Sequence, residues 1–162
     1  MTNNIISACP ICGEGKLHPV TLTNAVEYKG QQDIIPLLMA ECDACGVEQA
    51  GSNEARANKR AMMVFRKQVD GLLSGIEIRV LRERLELKQA EAARIFGGGP
   101  VAFSKYENDD VAQSESMDKL LRVAAAVPEA FYWLATAAGE KHIATKIQMK
   151  PCLDQIPERR QM

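Results

Sequence analysis

Between residues 17 and 42 the apolar positions recur at every second residue in short stretches, Val20 and Leu22 and then Val26 and Tyr28, ahead of the turn sequence Lys29-Gly30-Gln31. Alternation interrupted by a glycine-bearing turn reads as strands joined in a hairpin. Pro19 and Pro36 lack the ladder donor, so their strands are expected at an edge or beside a bulge. From Ser52 to Gly75 the period lengthens. Ala61, Met62, Phe65, Val69 and Leu72 suit one face of a helix capped by Ser52 or Asn53 and loosened at its end by Gly71 and Ser74-Gly75. This segment reads as an amphipathic connector.

A run of short helices follows from Ile76 to Val127. Ile78, Leu81 and Leu85 give the first its apolar stripe, and Ala90, Ala93 and Phe96 are expected inward on the second. Gly97 would be its left-handed stop, Gly98 the passage through the turn, Gly99 the cap and Pro100 the start of the third helix, with its backbone angle preset. Two helices across a turn of three to four residues form a helix-turn-helix. Phe103 and Tyr106 would anchor the third helix while Val101, Lys105 and Asn108 share another face. Ser114 or Ser116 caps a fourth helix with Leu120, Leu121 and Val123 inward. A fifth begins at Pro128, where Phe131, Tyr132 and Trp133 either pack on the core or meet a second subunit.

A glycine-rich loop before a helix also suggests a phosphate cradle. Here the glycines follow a helix, not a strand, and no Gly-Lys-Ser/Thr sequence appears, so that reading is set aside.

The cysteines add chemistry to this outline. Four of the five stand as Cys9-Pro-Ile-Cys12-Gly13 and Cys42-Asp-Ala-Cys45-Gly46. Matched C-x-x-C pairs in a chain of this kind favour a metal over disulfides, a redox dithiol or four buried free thiols. Each pair approaches one ion from a tight turn, and the glycine after it permits a positive φ. Cys9, Cys12, Cys42 and Cys45 therefore form the candidate site for one structural Zn2+ per chain, a shell that four thiolates close. So small a domain needs metal binding to supplement its core. His18 reads as an ordinary strand residue and Cys152 as a bystander in the tail.

At 162 residues, with 46% hydrophobic and 25% charged positions, the composition is that of a globular protein. No apolar run reaches the roughly 18 residues of a membrane span, and the N-terminus lacks the pattern of a signal peptide, so a cytoplasmic location is expected. The formal charge of −1 conceals a segregation. Six acidic residues against Lys16 and Lys29 give −4 over residues 1–50, whereas Arg56, Lys59, Arg60, Arg66 and Lys67 against Glu54 and Asp70 give +3 over 51–74. An acidic head and a basic neck suggest two partners.

The ordered C-x-x-C pairs, the hairpin around Tyr28-Lys29-Gly30, and the segments "LRERLELKQAEAARIFGGG", "AFSKYE" and "KLLRV" together resemble the MqsA-type antitoxins of bacterial toxin–antitoxin pairs. The resemblance runs from Cys9 to about Phe131. It implies an α+β chain: a zinc domain over residues 1–50 and an Xre-class helix-turn-helix domain over 75–138, joined by the connector over 51–74; residues 139–162 lie outside the resemblance and read by themselves as a flexible tail. It further implies a non-enzymatic protein whose zinc domain neutralises an mRNA-cleaving toxin. The second domain would form a homodimer and repress its own operon at a palindromic double-stranded DNA operator. The DNA-contacting set it implies is Gln89, Val101, Ser104, Lys105 and Asn108, with Gln89 at the family's phosphate-contacting glutamine. The chain departs from the family at three positions. Lys88 replaces a capping Ser or Thr, which costs about 1 kcal/mol. Val101 stands for a base-reading Asn, and Lys105 for Arg. A stand-alone regulator without a toxin is the alternative; no nucleophile–base pattern or open metal site supports an enzyme.

Overall fold

The computed structural model describes residues 8–140 and 142–143, and the chain divides into two compact units, Met1–Val69 and Asp70–Met162. The first holds an antiparallel sheet in the order β1-β2-β3 and one long helix: β1 (Leu17–Tyr28), β2 (Gln31–Cys42), β3 (Glu48–Gln49) and α1 (Ser52–Val69). β1 and β2 form an unbroken hairpin from Leu17↔Cys42 to Tyr28↔Gln31. Lys29 and Gly30, both at positive φ, make its two-residue turn. Pro19 lies on the edge strand β1, and Pro36 sits where β2 is paired on one side only, as the missing donors require.

Cross-strand partners share a face, which sorts the hairpin. Val20, Val26, Tyr28, Ile35, Leu37 and Met39 lie on one half-buried face, whereas Thr21, Thr23, Ala25 and Ile34 lie on the open one.

The segment read as a connector is part of this unit, because α1 packs on β2. The Asn58 side-chain amide continues the ladder, accepting from Leu38 N–H at 2.7 Å and donating to Leu38 C=O at 2.8 Å, while Phe65 is buried. Arg66 stands over the Tyr28 ring, 5.4 Å from its centroid. The helix ends at Val69, so Leu72 falls outside the predicted stripe and Leu73 enters the core of the second unit.

Among its described residues the second unit holds helices and no strand: α2 (Gly75–Arg84), α3 (Gln89–Phe96), α4 (Ala102–Glu107), α5 (Glu115–Ala126) and α6 (Pro128–Ala137). Its core is built around Ile78, Phe96, Phe103, Leu121, Phe131 and Ala135. Phe96 stacks on Phe131 with centroids 6.3 Å apart and meets Phe103 at 6.0 Å.

Two inward assignments are corrected. Ala90 is exposed, and Ala92, Ala93, Ile95 and Phe96 are the buried residues of α3. At 100° per residue Ala90 points about 140° from the mean direction of those four. Val123 is exposed while Ala124 is buried, since Leu121 and Ala124, three apart, define the core line of α5. The core also extends past residue 138: Ile143 is buried, and Arg94 donates to Glu140. Residues 144–162, with Cys152, lie outside the described residues.

Only some caps follow the sequence: α1 begins at Ser52, with Ala55 N–H bonding Gly51 C=O at 2.9 Å, so neither Ser52 nor Asn53 is its N-cap. Ser74 starts α2 in a reciprocal box with Glu77, and Ser114, not Ser116, caps α5. Lys88 has no acceptor to offer α3, but Glu91 reaches back to Lys88 N–H at 2.7 Å, so half of the capping box survives.

Two buried carboxylates join these helices. Glu107, whose side chain is fully removed from water, receives Arg82 Nε at 2.6 Å and Nη2 at 3.0 Å, together with Gln89 Nε2 at 2.9 Å. Asp118 accepts from Leu73 N–H at 2.7 Å, from Gln113 at 2.9 Å and from Arg122 at 2.7 Å. Desolvation pushes both carboxyls up, yet these hydrogen bonds and the facing guanidinium charges hold both below their usual values of 4.5 and 3.8. A depressed folded value gives stability that is complete above the unfolded value and lost as pH falls through the folded one. The denaturation midpoint of the helical unit should therefore fall steeply below about pH 4. Glu107→Ala should cost about 3 to 5 kcal/mol at neutral pH and flatten the acid limb. Urea titrations across pH 2–7 test both; an acid limb unchanged in the variant would contradict the assignment.

Candidate functional site

The two C-x-x-C turns bring four sulfurs together. Cys9, Cys12, Cys42 and Cys45 place their Sγ atoms within 4.8 Å of one another, with Cys9–Cys45 at 3.9 Å and Cys12–Cys42 at 3.7 Å. Each turn closes on its first cysteine: Gly13 N–H donates to Cys9 C=O and Gly46 N–H to Cys42 C=O, both at 3.0 Å. Both glycines have positive φ, +73° and +67°, the conformation for which glycine is suited.

Gly15 packs between the turns. A Cβ there would lie 2.5 Å from Cys42 Sγ and 2.7 Å from Asp43 Oδ1, so only hydrogen fits. The amides of Gly15 and Glu14 point at Cys12 and lower its thiol to about 6. The Val47 amide pulls Cys45 down, but desolvation and the three neighbouring sulfurs outweigh it and push that thiol up to about 12. A cation bound by these crowded sulfurs would displace the thiol protons they hold.

The donor set fits a tetrahedral thiophilic ion. With metal–sulfur bonds of about 2.3 Å, the edge of a regular tetrahedron is about 3.8 Å, and the two short sulfur separations lie within 0.1 Å of that length. Four thiolates leave no coordination position for water, so such an ion would be structural. His18 is not among the clustered ligands; its Nε2 lies 3.1 Å from Asp43 Oδ2.

In the second unit the turn between α3 and α4 is longer than expected. Gly97, Gly98 and Gly99 all have positive φ, and Gly97 combines φ +87° with ψ −163°, a region open to glycine alone rather than the left-handed helical one. Ala102 N–H bonds Gly99 C=O at 3.1 Å across Pro100-Val101, so the N-cap of α4 is Val101 and not Gly99. The chain uses Pro100 to enter a tight turn, and the helix begins two residues later.

The five candidate DNA residues occupy different situations. Val101 is 56% exposed at the start of α4, and Lys105 is exposed one turn on. Ser104 is half-buried, with its C=O accepting from Asn108 Nδ2 at 2.7 Å, so the Asn108 amide closes the end of α4. Gln89 is half-buried at the start of α3 and donates to Glu107. Phe103 and Glu107 point inward from the same six-residue helix and fix which face is offered.

The family model for the antitoxin component of the bacterial toxin–antitoxin system, MqsA, matches residues 7–132. The chain belongs to the MqsA antitoxin family. Antitoxin MqsA of Escherichia coli (strain K12) is 31% identical over 123 residues, which cover 75% of this chain and 94% of that protein. The family match includes both cysteine pairs and the helices through α5, and ends inside α6. Among the described residues, no helix is long and apolar enough to cross a membrane.

The networks around Glu107 and Asp118 were not foreseen from the sequence. "AFSKYE" contains Glu107, but its partner Arg82 lies 25 residues earlier, and nothing local marks the pair. The Gly15 contact implies a direct test. Gly15→Ala, Cys9→Ser and Cys42→Ser should each reduce bound metal and unfold the first unit while the helical unit keeps its far-ultraviolet signal. Elemental analysis with proteolysis of the two units reads this; full metal content in Gly15→Ala would show that the turns can separate.

Proposed function

We propose that this chain is a zinc-dependent antitoxin that neutralises a cognate mRNA-cleaving toxin through its first unit. In the same reading it represses its own operon through the second, by binding a palindromic operator as a homodimer without catalysis of its own. The observation that carries the DNA reading is α4. It is a short helix held from within by Phe103 and Glu107, turning Val101 and Lys105 outward after a glycine turn. Helix-turn-helix dimers set two such helices about 34 Å apart in successive major grooves. We assign subunit contact to the exposed apolar residues Val123, Val127 and Trp133, the last at 67%.

The side chains set the chemistry of reading. Lysine can donate to guanine O6 and N7; valine offers only apolar contact, best matched by a thymine methyl. Ser104 and Asn108 are assigned to the same interface at its edge, and Gln89 to a phosphate. Because Gln89 also bonds Glu107, its loss would loosen α4 as well as remove a phosphate contact.

Replacing the thymine that faces Val101 by uracil should weaken specific binding, and Val101→Ala should make the two sites nearly equivalent. Lys105→Ala should cost about 1 to 3 kcal/mol and relax preference at one guanine. Fluorescence anisotropy on operator half-site variants provides the measurement. Equal affinity for thymine and uracil at every position would remove Val101 from the interface and favour reading by DNA shape.

For the toxin, the −4 of residues 1–50 points to a basic partner met on the hairpin and its turns rather than on α1, whose basic residues bring the first unit, Met1–Val69, to a formal charge of zero. Glu27 and Asp33 lie near the hairpin tip on opposite faces, since Val26 pairs with Asp33 and Glu27 with Gln32. Reversing both to Lys should slow association more than it speeds dissociation, and each single reversal reports one face. Stopped-flow rates that do not change with added salt would instead indicate an apolar interface.

A further inference from the structure

The two cysteine turns come from separate parts of the chain, and Asp43 joins them. Its N–H donates to Lys16 C=O at 3.1 Å, and its Oδ1 accepts from Lys16 N–H at 2.8 Å, so both backbone groups of Lys16 end on one residue. Its Oδ2 lies 3.1 Å from His18 Nε2. These contacts lie one residue beyond the last hairpin rung, Leu17↔Cys42, where the ladder would otherwise end and the turns could part. Asp43 Oδ1 also closes over Gly15, the residue wedged against Cys42 Sγ.

We propose that Asp43 is a positioning residue for the metal centre: it latches the turn of Cys42 and Cys45 to the strand that follows Cys9 and Cys12, so that the four sulfurs are gathered before an ion arrives. The inference rests on the zinc reading of the site. The physical need is clear. Four sulfurs that must shed protons to bind a cation repel one another as they do so, and a latch made of hydrogen bonds offsets that repulsion without joining the coordination shell. Outer partners of this kind typically change metal affinity by about 10- to 100-fold. His18 and Asp43 are both half exposed, so the histidine contact contributes less than the Lys16 N–H bond.

Charge alone predicts the opposite sign. An aspartate beside a tetrathiolate centre adds negative charge to an already anionic site, so its removal would tighten binding or leave it unchanged. The latch predicts that removal weakens binding, and that an amide, which can still accept from Lys16 N–H, largely restores it.

The test uses the full-length chain and zinc, in competition with a chromophoric chelator, with cobalt as a spectroscopic probe of the tetrathiolate geometry. Asp43→Ala should bind zinc about 10- to 100-fold more weakly and give a diminished cobalt–thiolate band. Asp43→Asn should remain close to the wild type in both readouts, and His18→Ala should lose no more than about fivefold. Zinc affinity in Asp43→Ala equal to or above wild type overturns the latch, as does an Asp43→Asn variant as weak as the alanine one. If Asp43→Ala does not fold with zinc, the comparison of Asp43→Asn with wild type still decides, because loss there excludes the hydrogen bond. A wild-type chain that takes up no zinc would instead remove the metal reading itself.

Discussion

The fork between Arg82 and Glu107 is the interaction on which the presentation of α4 depends. A helix of six residues cannot hold itself in water, because helix nucleation is unfavourable and most helical stability comes from packing. Glu107 ends that helix with its carboxylate fully buried, bound by Arg82 from α2 and by Gln89 from the start of α3. Arg82 in turn donates to Leu87 C=O at 2.7 Å, which fixes the loop between α2 and α3. One carboxylate thus sets the mutual placement of three helices. A buried charge left unpaired is costly, so the pair is a strong constraint on geometry whatever its net contribution to stability.

Around that fork the glycine turn and the aromatic core divide the work. Gly97, Gly98 and Gly99 permit backbone angles that other residues resist, and a Cβ on Gly98 would come within 2.9 Å of Ala102 Cβ. Phe103 packs with Phe96 of α3, which settles the rotation of α4 about its axis, and meets Tyr106 of its own helix edge-on. Val101 and Lys105 are left outward as a result, and their exposure follows from what their neighbours bury.

The first unit solves a different problem. Its hairpin has one half-buried face and few large apolar residues, so α1 and the cysteine centre supply what the sheet lacks. The basic residues Arg56, Lys59, Arg60 and Arg66 belong to the same compact unit as the acidic residues of the head. The charge segregation seen along the chain therefore lies within one unit, and a linker does not keep the two signs apart.

The sequence by itself determined the elements whose causes are local. The hairpin turn at Lys29-Gly30, the cap at Ser114, the start of α6 at Pro128 and the form of each C-x-x-C turn all depend on residues within a few positions of one another. The four cysteines were legible as a set because thiolate spacing reflects the geometry of an ion. Only the tertiary structure decided that α1 joins the sheet, because Asn58 must find the open backbone of Leu38, 20 residues away. It likewise turned Ala90 and Val123 outward, placed the cap of α4 at Val101, and recruited Ile143 to the core. Asp43, Gly15 and Glu107 carry little local signal, since what each does is set by an atom that the chain brings back from a distance.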